Sequence, residues 1–182
     1  MNQAAFLKPK HLAGFTIVEL MLTIVVAAVI LSIGVPSFQG LMERNQLTSS
    51  INEFISSLTL ARSEAIRRNS PVALCASADG ENCGGAGYEV GWIVYVNENS
   101  DGDRDAGEEL LWVHDSLPAS LTLRGTGCCI NNIPYLASGR VSGINGSVNL
   151  CKDNDLGKSK KITIITSGRV RLNEGATNDC AT

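Results

Sequence analysis

A chain of 182 residues with a net charge of −3 has room for one membrane helix and one small globular domain with its own core, which excludes a two-domain architecture. Its six cysteines (Cys75, Cys83, Cys128, Cys129, Cys151 and Cys180) are mostly widely spaced and only His11 and His114 accompany them, which argues against zinc and for disulfides in an oxidising compartment. The acidic mean hides a segregation: residues 79–115 hold ten acids against Arg104 alone, whereas residues 139–172 hold seven bases against Asp153 and Asp155, so one face can be basic.

In chain order, the first feature is a short basic leader with Lys8, Lys10 and His11, then Gly14, then an almost unbroken apolar run to Val35. The small residue precedes the apolar run, so cleavage after Gly14 would leave that run on the mature chain, unlike an ordinary secretory signal. Basic residues ahead of the run assign that end to the cytoplasm. Glu19 is a lone carboxylate within the run, where a comparable acid costs roughly 2.5–3.5 kcal/mol, so it requires a partner. From Phe15 to about Asn69 the pattern predicts one long helix, broken or bent near Gly34 and Pro36. In its second half Leu47, Ile51, Phe54, Ile55, Leu58, Ala61 and Ala65 recur at helical spacing, a stripe suited to lie on a sheet.

Asn69-Ser70-Pro71 stops the helix. Short strand candidates follow at residues 72–76, 91–96, 110–114, 121–124, 147–151, 161–166 and 170–172, separated by glycine, asparagine and serine, so the expected class is α+β with the helix on antiparallel sheet. Tyr88, Trp92, Tyr95 and Trp112 fall in or beside these strands as core or sheet-face residues. Between two strands, Asn97, Asn99, Asp101, Asp105 and Glu108 follow much of an EF-hand loop around Gly102. Asparagine replaces the first aspartate and strands replace the flanking helices, and such residues also simply make tight turns. Calcium is therefore the weak candidate here, and no other cofactor is expected. Neither a nucleophile-histidine arrangement nor a phosphate loop is present, so the chain does not read as an enzyme.

The last strand opens on Gly168-Arg169-Val170-Arg171. Residues two apart in a strand share a face, and the glycine permits a tight turn before them, so Arg169 and Arg171 project together. Guanidinium forks suit phosphate oxygens, and Lys158, Lys160 and Lys161 on the preceding connection, with Arg140 after Gly139, extend the positive surface. No aromatics interleave, which predicts weak, non-specific nucleic-acid binding with a salt slope of roughly −3. The bland alternative is a solvated edge strand protected by charge. For the cysteines, local pairing joins Cys75 to Cys83 and Cys151 to Cys180, while Cys128 and Cys129 bond each other, find separate partners or stay free.

The leader and its glycine resemble the class III leader of type IV pilins and pseudopilins. The resemblance implies cleavage between Gly14 and Phe15 by a prepilin peptidase/N-methyltransferase, an N-methylated Phe15, and a Glu19 that pairs with the terminal amine of a neighbouring subunit during assembly. Residues 60–72 at the helix end, Gly91-Trp92-Ile93-Val94-Tyr95-Val96, and the two turns Gly139-Arg140-Val141 and Ser167-Gly168-Arg169-Val170-Arg171 are similar to the FimT/GspH family of minor pilins and pseudopilins. That likeness implies a type IV pilin-like fold with a leader at 1–14, a transmembrane and assembly segment at 15–37 and a head at 38–182. A C-terminal Gly-Arg-x-Arg is associated with FimT-type pilins that bind DNA in natural transformation. The implied subunit is stored in the inner membrane of a Gram-negative bacterium, head in the periplasm, and then joins a surface pilus. Its implied partners are DNA, the major pilin and other minor pilins. The alternatives are a structural tip subunit that primes assembly and a type II secretion pseudopilin of the GspH kind.

Overall fold

The computed structural model describes residues 14–85, 87–174 and 180; the basic leader with Lys8 and Lys10 lies outside the described residues. Contacts divide the chain into two units, one ending at Met42 and one beginning at Glu43. Helix α1 runs from Ile17 to Arg68 as one 52-residue element. Of the expected break or bend near Gly34 and Pro36, the break does not occur, because an interior proline removes a single backbone donor and leaves the neighbouring turns to carry the helix.

In the first unit the apolar side chains are bare, from Phe15 at 82% exposure through Ile33 at 71% to Met42 at 55%. An 18-residue window here reaches a mean hydropathy of 2.6, long and apolar enough to cross a membrane. Thr16 begins the helix, its hydroxyl accepting the Glu19 N–H at 3.2 Å, half of a capping box that the Thr-x-x-Glu spacing encodes.

In the second unit the picture inverts. Leu47, Ile51, Phe54, Leu58, Ala61 and Ala65 are buried at alternating spacings of three and four, one stripe of α1 turned to the core. Asn69 in a left-handed conformation (φ 52°) ends the helix, with the Ser70 N–H returning to the Ala65 carbonyl at 3.3 Å, and Pro71 bars continuation. The strands are β1 (Val72–Ala76), β2 (Trp92–Val96), β3 (Leu110–His114), β4 (Leu121–Thr126), β5 (Asn132–Tyr135), β6 (Gly146–Lys152), β7 (Asp155–Ile164) and β8 (Val170–Glu174). They form two antiparallel four-stranded sheets, ordered β3-β2-β1-β5 and β4-β6-β7-β8. The helical stripe shares one core with Val72, Leu74, Trp92 and Val94 of the first sheet and Leu121, Leu123, Val148, Leu150, Ile162 and Ile164 of the second. Phe54 meets Tyr88 and Trp92 edge to face at 5.1 Å, and the Trp92 indole N–H donates to the Ser57 hydroxyl at 2.9 Å, so its one polar atom is satisfied inside the core.

Two strands depart from expectation. β5 contains Pro134, which suppresses a strand reading, yet it sits at the sheet edge, where a missing donor is tolerated. β7 begins six residues earlier than predicted, at Asp155, so the three lysines lie within a strand and not on a connection.

Candidate nucleic-acid interface

The two glycine-arginine segments fold as matching turns. In the first, the Gly139 N–H donates to Leu136 O at 2.7 Å and the Leu136 N–H to Arg140 O at 2.8 Å. In the second, the Gly168 N–H donates to Ile165 O at 2.8 Å and the Ile165 N–H to Arg169 O at 3.2 Å. Both glycines are left-handed, with φ of 73° and 76°, a conformation that costs other residues strain. The Val141 N–H bonds Thr166 O at 3.1 Å, which sets the turns side by side; a Cβ built on Gly168 would meet Gly139 O.

Each turn delivers an exposed arginine directly after its glycine, Arg140 and Arg169. Arg171 follows within β8, an edge strand opposite Thr163 of β7, and is also exposed. On β7, Ile162 and Ile164 enter the core, so Lys161 shares the outer side with Thr163 and Arg171. Lys158 and Lys160 lie elsewhere. Lys158 bonds the Glu43 carboxylate of α1 at 2.8 Å, which holds its ammonium above the usual lysine range, and buried Lys152 reaches the other Glu43 oxygen at 3.0 Å. Strand alternation thus divides the lysine run, and a single helix carboxylate occupies Lys158 and Lys152. Among the described residues, Arg140, Lys161, Arg169 and Arg171 make no side-chain hydrogen bond or ion pair; the three arginines are exposed and Lys161 is half-buried.

Sequence reading overlooked Arg62. Its Nε donates to Gly139 O at 3.0 Å and its Nη2 to Ser167 O at 3.3 Å, joining both turns to α1. The only sequence signal is a polar residue one position beyond buried Ala61. His114 stacks on Trp92 at 3.7 Å and contacts Glu53 at 3.2 Å. His114 and Glu53, together with Trp112, Leu60 and helix serines, line a cavity of about 400 Å³.

The acidic loop closes on itself. The Asn99 amide donates to both Asp101 and Asp105, at 2.9 and 2.8 Å, while the Glu108 carboxylate accepts the Glu98 and Asp105 N–H groups. Among the described residues no group of three or more His, Cys, Asp or Glu gathers as metal ligands; of the calcium-candidate residues Asn97, Asn99, Asp101, Asp105 and Glu108, the Asn99 amide brings the Asp101 and Asp105 carboxylates together. Nearby, Asp79 accepts from the Asn82 and Glu81 backbones, the Asn82 amide and the Ser77 hydroxyl, which hold its carboxyl well below the usual range. Cys75 pairs with Cys83, Cys151 with Cys180, and Cys128 with its neighbour Cys129.

The family described as type II transport protein GspH matches residues 50–168, a span from the second half of α1 through the first turn to Gly168, ending one residue before Arg169. The pilin-like protein PilA1 of Thermus thermophilus is 29% identical over 164 residues, covering 87% of this chain and 97% of that protein. The type IV minor pilin FimU of Pseudomonas aeruginosa superposes with a TM-score of 0.60 at 21% identity, covering 78% of this chain and 99% of that one. The minor pseudopilin EpsH of the Vibrio cholerae type 2 secretion system gives 0.50 at 16% identity, covering 70% and 96%.

Proposed function

The chain belongs to the GspH family and is a GspH/FimT-like minor pilin anchored by an apolar helix; from that premise we propose that its head binds DNA for uptake in natural transformation. The observation that carries this reading is the convergence of Arg140 and Arg169 on adjoining turns, with Arg171 in line, all exposed and free of acidic partners among the described residues. Guanidinium groups in that setting take phosphate oxygens in pairs. Lys161 adds a fourth charge, on the side of the sheet that Arg171 occupies. Without aromatic platforms, the contact is to backbone phosphates and tolerant of sequence.

Gly14 and Phe15 are the proposed cleavage and N-methylation site, acted on by a prepilin peptidase/N-methyltransferase, in a subunit held in the inner membrane until it enters the pilus. Glu19, exposed on the bare helix, is the proposed assembly residue, pairing with the terminal amine of a neighbouring pilin.

The test is DNA binding by the full chain in detergent across a salt series. The wild type should bind weakly, with log K falling against log salt at a slope of roughly −3, and Arg169→Ala/Arg171→Ala should lose about two units of that slope while remaining folded. No binding by either protein removes the DNA reading. A second reading, a structural tip subunit or a secretion pseudopilin that meets other pilins, is favoured by edge strand β3, where Trp112 and Val113 are 51% and 42% exposed.

A further inference from the structure

Arg140 and Arg169 stand on separate turns that a main-chain bond from Val141 to Thr166 sets side by side, and one side chain reaches the carbonyls of both. The Arg62 guanidinium spans acceptors 77 and 105 residues away along the chain. Its targets are informative. Gly139 O belongs to the peptide group that enters Arg140, and Ser167 O to the peptide group that enters Gly168, one residue before Arg169. A fork of fixed geometry therefore orients the main chain immediately behind both outward arginines. Both glycines are buried and left-handed, and no Cβ separates Gly168 from the Gly139 carbonyl, so the turns have little freedom once the fork is in place. Ile66, one helical turn after Arg62, backs Gly139 from the same helix. No carboxylate meets Arg62 among the described residues; its donors go to carbonyls.

We propose that Arg62 is a positioning residue for phosphate recognition, setting the spacing and direction of Arg140 relative to Arg169 without itself touching DNA. The inference rests on the DNA reading above. Its physical basis is preorganisation: two guanidinium groups engage phosphates of one strand with less ordering at the moment of binding if their turns are already locked. Lysine at this position keeps the charge but not the fork, since one ammonium lacks two donors held at a fixed angle. Charge and geometry are thereby separable.

The experiment titrates DNA against the full chain in detergent over a salt series, using wild type, Arg62→Lys, Arg62→Ala and Arg169→Ala. Arg62→Lys, which retains charge and bulk, serves where Arg62→Ala fails to fold. Both Arg62 variants are expected to weaken binding by roughly fivefold to tenfold, within the range seen for residues acting through others. Their salt slope should stay that of the wild type, whereas Arg169→Ala should lower it by about 0.9. Hydrogen exchange without DNA should also show the Gly139 and Gly168 amides exchanging faster in Arg62→Lys. Wild-type affinity in Arg62→Lys overturns the proposal, and so does a slope lowered by Arg62→Ala but restored by Arg62→Lys, which would make Arg62 a direct phosphate contact. A wild type that binds no DNA overturns the parent reading and this one with it, an outcome distinct from both.

Discussion

Gly168 shows how much a residue without a side chain can control. Its φ of 76° would strain any other residue by about 1–3 kcal/mol, and a Cβ there would also meet the Gly139 carbonyl of the facing turn. Gly143 separates the two effects, having a φ of 94° but nothing near its Cβ position. Thermal melts of Gly168→Ala and Gly143→Ala should show the larger fall in Tm for Gly168→Ala; equal falls would mean the turns do not press together. Asp79 supplies a different residue-scale test. Hydrogen bonds lower its carboxyl in the folded state, so its stabilising contribution is present above the ordinary aspartate value near 3.9 and lost as pH falls through the folded value. The stability difference between wild type and Asp79→Asn should accordingly persist from neutrality to about pH 4 and shrink below it. A difference independent of pH would refute the charged network around Asp79.

At the scale of elements, β7 decides which lysines can serve the proposed interface. Lys161 shares a side with Arg171, while Lys158 is held by Glu43 on α1. In a salt series Lys161→Ala should lower the DNA-binding slope by about 0.9, whereas Lys158→Ala should leave it unchanged. Equal losses would mean that β7 does not sort the charges this way. This sorting also marks the limit of what was readable beforehand. The buried stripe from Leu47 to Ala65 and most strands were legible because apolar periodicity reports burial directly. The polar segment from Lys158 to Lys161 carries no such signal and reads as a loop, and Pro134 conceals β5. The partners of Arg62 are main-chain carbonyls far along the chain, and carbonyls have no letter in a sequence. The two arginine turns were visible as words; their contact was not.

The whole molecule combines a head that buries its apolar stripe with a helical segment that buries none of its own. The proposed assembly role of Glu19 belongs to this scale, because its partner would lie on another subunit. Glu19→Leu should still insert in the membrane, being more apolar, but should be missing from sheared filaments when fractions are compared by immunoblot. Wild-type incorporation would exclude the pairing role. The bare segment also bears on traffic between the two places proposed for this subunit, membrane and filament. Hydrocarbon tails and neighbouring helices are similarly oily, so passing from a bilayer into a bundle of like helices alters the hydrophobic free energy little. Storage and filament are then two nearly equivalent solvents for one surface. What directs the subunit from one to the other must be charge pairing or external work, and a subunit released from the bundle finds the bilayer as hospitable as before.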